Sequence, residues 1–189
     1  TLLHAPSYMV NGSSPDSVEF MMQPSWDYAP HFNTQMVHTN TLSFDSAVFN
    51  NGVIVTENPF NTIFPESRSQ YLWKASELLA AGLSAGNITG LRFNIQNTGS
   101  ELKNLTLRIK NTVLDSLTSM SFESTGFVTV YSNNRSFPAT GWNTIQFTTP
   151  FAWNGTDNLA IDISFDNQIP GITNQVFSEN TFLKTGVFS

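Results

Sequence analysis

Cysteine is absent from the 189 residues, which excludes a disulfide framework, thiolate catalysis and zinc held by thiolates. Charge is scarce as well. Asp, Glu, Lys and Arg together make up 12 % of the chain, about half the usual share. Asn, Ser and Thr stand where Lys and Glu would ordinarily sit, so the expected surface is wetted by neutral amides and hydroxyls. Basic residues are the scarcest: Lys and Arg total 8 against 14 acids, for a net charge of −6 at pH 7. Phosphate recognition needs clustered Lys and Arg, so nucleic acid is not an expected partner. Long apolar runs are missing too. No window approaches the roughly 18 apolar residues of a membrane helix, and membrane insertion is not expected. Residues 1–6 carry neither a basic nor an apolar leader segment, and read as a mature end from which any signal peptide has been removed.

What is present is strand. Hydrophobic residues at 40 %, with 16 Phe, suffice for a core in one domain spanning 1–189, and aromatics favour strands. Residues 141–167, GWNTIQFTTPFAWNGTDNLAIDISFDN, give the clearest signal. Ile145 and Phe147 alternate with polar residues, Pro150 interrupts, and Asn154-Gly155-Thr156-Asp157 supplies a turn. Leu159, Ile161, Ile163 and Phe165 then alternate with Asn158, Ala160, Asp162, Ser164 and Asp166. This pattern predicts an antiparallel hairpin with one buried and one wet face.

Similar alternation marks Leu91-Phe93-Ile95 and Leu105-Leu107-Ile109, on either side of Asn97-Thr98-Gly99-Ser100. Shorter strands are expected at 18–22, 127–131 and 175–177. Asn50-Asn51-Gly52 before Val53-Ile54-Val55 predicts a further hairpin. Residues 72–82, LWKASELLAAG, form the one convincing helix, with Gly82 as its stop. Short strands with turn signals about every 8–12 residues describe an all-β antiparallel sandwich, jelly-roll-like, with one short helix. Leu91, Phe93, Ile95, Leu105, Leu107, Ile109, Ile161, Ile163 and Phe165 should be buried together, with Arg92, Asn94, Thr106, Arg108, Asp162 and Ser164 outward.

Chemistry is harder to find. Gly82-Leu83-Ser84-Ala85-Gly86 matches G-x-S-x-G, but a nucleophile elbow needs a strand before the serine, a helix after it and a later histidine. Here the helix comes first, and His4, His31 and His38 all precede Ser84. The match is a helix cap followed by a turn. No transition-metal spacing exists among the histidines. Asp157, Asp162 and Asp166 along one strand are the candidate ligands for a structural calcium ion, the sole cofactor the chain suggests. No spaced pair of carboxylates fits a glycosidase. Among the aromatics, Trp26 and Tyr28 sit in a proline-interrupted segment near amides and acids. They are the candidates for stacking on a sugar ring, whereas Trp142 and Trp153 read as packing anchors beside turns.

Residues from about 60 to 167 also resemble a β-sandwich module that recurs in secreted multidomain proteins of Bacteroidota, often those exported by type nine secretion. The matching pieces, in order, are Tyr71-Leu72-Trp73 with Ala75-Ser76-Glu77-Leu78 and Ala81-Gly82; Gly86-Asn87-Ile88-Thr89-Gly90-Leu91-Arg92-Phe93-Asn94-Ile95; Leu102-Lys103-Asn104-Leu105-Thr106-Leu107-Arg108-Ile109-Lys110; Val130-Tyr131; Gly141-Trp142-Asn143-Thr144; and Pro150-Phe151-Ala152-Trp153-Asn154-Gly155-Thr156-Asp157-Asn158-Leu159. Residues 1–55 lie outside the match, leaving 56–189 as the module core.

The resemblance implies a sandwich, export to the cell surface, and a place beside other domains of a larger polypeptide or neighbouring surface subunits. It carries over no catalytic residue. Proteins of that phylum can be O-glycosylated at Asp-Ser/Thr followed by a small or aliphatic residue. Asp16-Ser17-Val18, Asp45-Ser46-Ala47 and Asp115-Ser116-Leu117 have that form, which makes Ser17, Ser46 and Ser116 candidates. The expected function is a non-catalytic extracellular module for adhesion or assembly. The alternatives are a polysaccharide-binding module attached to a degrading enzyme and, third, a carboxylate-dependent hydrolase.

Overall fold

A computed structural model describes residues 52–117 and 122–178, together with the backbone of four further strands at 8–9, 17–22, 32–37 and 186–188. The chain divides into two compact units, 1–45 and 46–189. In the first, β1 (Tyr8–Met9), β2 (Ser17–Met22) and β3 (Phe32–Val37) form an antiparallel sheet in chain order. The strand expected at 18–22 is β2. The boundary drawn at residue 55 falls inside the first strand of the second unit.

That unit contains β4 (Ile54–Thr56), β5 (Glu66–Trp73), α1 (Ala75–Ala80), β6 (Gly86–Asn97), β7 (Leu102–Thr112) and β8 (Val128–Arg135). It continues with β9 (Gly141–Trp153), β10 (Asn158–Asp166), β11 (Gln175–Ser178) and β12 (Gly186–Phe188). All pairings are antiparallel. One sheet has the order β4-β11-β6-β9 and the other β12-β5-β10-β7-β8. The fold is an all-β sandwich with one short helix.

Alternation decides what lies between the sheets. Leu105, Leu107 and Ile109 of β7 and Ile161, Ile163 and Phe165 of β10 are all buried in one cluster with Ile95, Ile145, Phe147 and Phe60. Leu91 and Phe93 pack against it half-buried. The nine expected core residues therefore do meet. Each fully buried Leu, Ile or Phe contributes about 1.5–3 kcal/mol. Trp153 joins them and donates its indole N–H to the Asp157 carbonyl at 2.8 Å.

Three expectations need correction. First, β9 and β10 are strands joined by a tight turn, but they are not a hairpin: β9 pairs with β6, while β10 pairs with β5 and β7. Turn residues reverse the chain without saying which sheet it re-enters, and here the turn is a corner between sheets. Second, Pro150 does interrupt the ladder, whose register against β6 shifts between Ile88 and Gly90, but the interruption lies inside β9 and the strand runs on to Trp153. Proline is tolerated at such a bulge on an edge strand. Third, the helix starts at Ala75 rather than residue 72, because Tyr71, Leu72 and Trp73 are held in the β5 ladder opposite Ile161, Ala160 and Leu159. The helix itself is well closed. Glu77 accepts the Lys74 N–H at 2.9 Å, Asn158 accepts the Ala75 N–H at 2.8 Å, and the chain leaves through Gly82 at φ +92.

The antiparallel path puts loops 57–65, 98–101, 136–140 and 167–174 at one end of the sandwich, the tip. It puts α1, 113–117, 122–127 and 154–157 at the other, the base. β4 runs toward the tip and the four-residue β11 away from it, with Ile54 and Ser178 as register partners partway down the sheet. Asparagine holds the loops together. Asn174 accepts the Gly99 N–H (2.6 Å) and donates to the Ser100 carbonyl (2.9 Å). Asn167 accepts the Lys103 N–H (2.7 Å) and donates to the Glu101 carbonyl (2.9 Å). Both are buried. Part of the asparagine that reads as surface wetting is thus internal stitching, which satisfies loop groups that burial would otherwise penalise.

Candidate functional site

The two outer faces of the sandwich differ. On the five-stranded sheet the even positions of β10 point away from the core, as expected for Asp162. Water does not receive it. Asp162 is 0 % exposed, because residues 113–117 and 122–127 lie over this face as a strap. Leu117, Leu72 and Ala160 make a second small apolar cluster there, with Phe122 and Phe127 against it. The register reading of Asp162 holds and its solvent exposure is corrected.

The carboxylate is saturated. Its Oδ2 accepts Arg68 Nε (2.9 Å), Arg68 Nη2 (2.7 Å) and Gln70 Nε2 (2.5 Å). Its Oδ1 accepts Arg108 Nε (3.2 Å) and Nη2 (2.8 Å). The covering segment is tied to the same groups. The Glu123 carbonyl accepts Gln70 Nε2 (2.7 Å) and Arg68 Nη2 (3.2 Å), and the Glu123 N–H donates to Gln70 Oε1 (2.8 Å). Lys110 pairs with the Glu123 carboxylate at 2.9 Å. Phe122 lies 4.5 Å from the Arg68 guanidinium and Phe127 4.9 Å from the Lys110 ammonium. A buried acid beside two arginines can mark a reaction centre. Here every lone-pair direction is taken by the protein, and the arrangement pins a strap to a sheet.

The candidate calcium ligands are not brought together. At about 3.3 Å per residue, Asp162 stands about 13 Å along the strand from Asp166 and about 16 Å from Asp157. Asp157 accepts the Asn154 amide (2.7 Å), and Asp166 accepts the Gln168 N–H (3.1 Å). Among the described residues no group of three or more His, Cys, Asp or Glu could hold a metal ion. Trp26, Tyr28, Ser46 and the three histidines lie outside the described residues, as does the side chain of Ser17 on β2. Ser116 is exposed near the start of the strap, and Ser84 is exposed after α1 and before β6, the reverse of a nucleophile elbow.

The four-stranded sheet has no such cover among the described residues. Its outward side chains include Arg92, Asn94 and Gln96 of β6 and Trp142, Thr144 and Gln146 of β9. Trp142, read from the sequence as a packing anchor, is 44 % exposed, with the Arg92 guanidinium 5.5 Å from its ring. The signal was available: Asn143, Ile145, Phe147, Phe151 and Trp153 share the inward parity of β9, and Trp142 has the other. Asn94 is the register partner of Trp142, and Val55 of Phe177. Continuing the β11–β6 ladder one step past Val176–Ile95 sets Phe177 beside Asn94. The row Val55, Phe177, Asn94, Trp142 then crosses all four strands.

The tip is the other notable surface. Ile63, Phe64, Ile169 and Ile172 are each more than half exposed. Their two loops are fastened to each other and to the loop after β6. The Gly171 N–H donates to the Thr62 carbonyl (2.7 Å), and the Ser100 N–H to the Ile172 carbonyl (2.7 Å). Gly171 and Gly99 leave no room for a side chain: a Cβ at Gly171 would stand 2.6 Å from Ser100 Oγ, and one at Gly99 would meet the Ile172 carbonyl.

No protein-family model, curated protein or solved structure matches this chain.

Proposed function

We propose that the chain is a non-catalytic module of a larger secreted protein, acting in adhesion or assembly at the cell surface. The observation that carries this reading is the apolar tip. Four large aliphatic and aromatic side chains stand in water on loops that hydrogen bonds and close glycine contacts hold in place. Exposed apolar groups gathered at one end of a fold mark interaction surfaces, and a prearranged set loses little entropy on docking. The ionisable residues support the same reading, because among the described residues the cluster around Asp162 fixes the strap and leaves its carboxylate no free acceptor for a substrate. The resemblance to exported Bacteroidota modules supplies the setting, with other domains of the polypeptide or neighbouring surface subunits as partners. Ser116, exposed in its Asp-Ser-Leu motif, fits O-glycosylation there.

The test is retention of the purified, labelled protein on the cells that produce it. Phe64→Asp/Ile172→Asp is expected to lose retention at least about tenfold, a little over 1.4 kcal/mol, with an unchanged unfolding transition. Wild-type retention by a folded double variant overturns the reading.

A further inference from the structure

The outer face of the four-stranded sheet, which no described segment covers, carries a different ligand chemistry from the tip. Among its described outward side chains Arg92 is the one charged group; the rest are amides, hydroxyls, two aromatics and small or aliphatic residues such as Val55 and Ala152. Arg92 stands over the Trp142 ring and steadies it. Phe177 and Trp142 lie two strands apart with Asn94 between them. Two strand spacings are about 10 Å, close to the length of two consecutive pyranose rings in an extended chain. Among the described residues the Asn94 amide makes no intramolecular hydrogen bond, which leaves one acceptor and two donors free between two exposed rings. Gln146 donates its side-chain amide to the Thr89 carbonyl (2.8 Å).

From this geometry we infer that the face binds a neutral, β-linked polysaccharide chain lying across the strands. Alternate sugar rings sit on Phe177 and Trp142, and the Asn94 amide bonds the hydroxyls between them. The chemistry selects this occupant. Apolar ring faces suit flat aromatics, hydroxyls both donate and accept as an amide does, and near-neutrality disfavours phosphate chains and anionic lipid surfaces. An α-linked chain, which coils, would not span two rings on a flat row. The inference is independent of the tip, since no residue is shared.

The whole protein would be titrated with cellohexaose, xylohexaose and maltohexaose, read by calorimetry and by tryptophan fluorescence. Binding of at least one β-linked hexaose with little or none of maltohexaose is expected. Trp142→Ala and Phe177→Ala should each weaken it about tenfold or more, Asn94→Ala by several-fold, and Trp142→Phe should keep part of it. Phe64→Asp/Ile172→Asp should bind the glycan as wild type does. Four results would each overturn the inference: no β-linked hexaose binding at millimolar concentration, equal binding of maltohexaose, full binding by Trp142→Ala, or loss of binding in Trp26→Ala with Trp142→Ala unaffected.

Discussion

The two outer faces of the sandwich follow one sequence rule and meet different fates. Both present every second residue of their strands away from the core. On the β6–β9 side these are Arg92, Asn94, Trp142 and Thr144, and they meet water. On the β5–β10–β7 side they are Arg68, Gln70, Arg108 and Asp162, and the strap of residues 113–117 and 122–127 closes over them. Period-two alternation tells inward from outward. Whether outward means solvent depends on segments elsewhere in the chain.

Substitutions can break or sharpen that contrast. The largest expected effect is at Asp162. Its removal as Ala leaves Arg68 and Arg108 facing each other under the strap without a counter-charge, a loss of about 3–5 kcal/mol in urea unfolding at pH 7. A loss under about 1 kcal/mol would mean the covered face is effectively wet. Ile161→Ala, on the neighbouring inward position, is the control for the shared core and should cost about 2–5 kcal/mol through a cavity. Phe122→Ala removes the half-buried ring that the strap lays on Arg68, and about 1–2 kcal/mol is expected from lost packing and cation–π attraction. Increased hydrogen exchange should then be confined to residues near the strap.

A pH test probes the inner side of β5. Burial pushes the Tyr71 phenol up from its ordinary value of 10.0, with the Ser69 hydrogen bond opposing. The native state therefore favours the neutral phenol. Its contribution is intact below pH 10 and falls as pH rises above that. Tyr71→Phe should flatten this alkaline limb of the stability curve. Smallest of all, Thr144→Ala on the open face should change stability by no more than about 0.5 kcal/mol. A larger loss would show that this face too is covered.

Much of the fold was legible and little of the site. Leu105-Leu107-Ile109 and Ile161-Ile163-Phe165 declared their strands and their buried side, because burial between two sheets writes itself as strict alternation. Asp162 declared its direction but not its surroundings. What buries it is Phe122, Glu123 and Phe127, which lie in an aperiodic stretch some 35 to 40 residues upstream and signal nothing until the strands are paired. The supposed hairpin at 141–167 failed for a related reason. Asn154-Gly155 specifies a reversal, while partner choice belongs to β6 on one side and to β5 and β7 on the other. Trp142 and Trp153 flank similar turns, and counting parity along β9 separates them.

The pairing of Ile54 with Ser178 has a mechanical consequence. A pull on the chain before β4 meets Ile54 at the end of a three-rung ladder, which would open one rung at a time rather than shear as a block. A pull from the other side meets β12 first, and β12 is held by β5 in the opposite sheet. Tension along the chain is thus received by a different sheet from each side, with the shared core of β6, β7 and β10 between the two points of load.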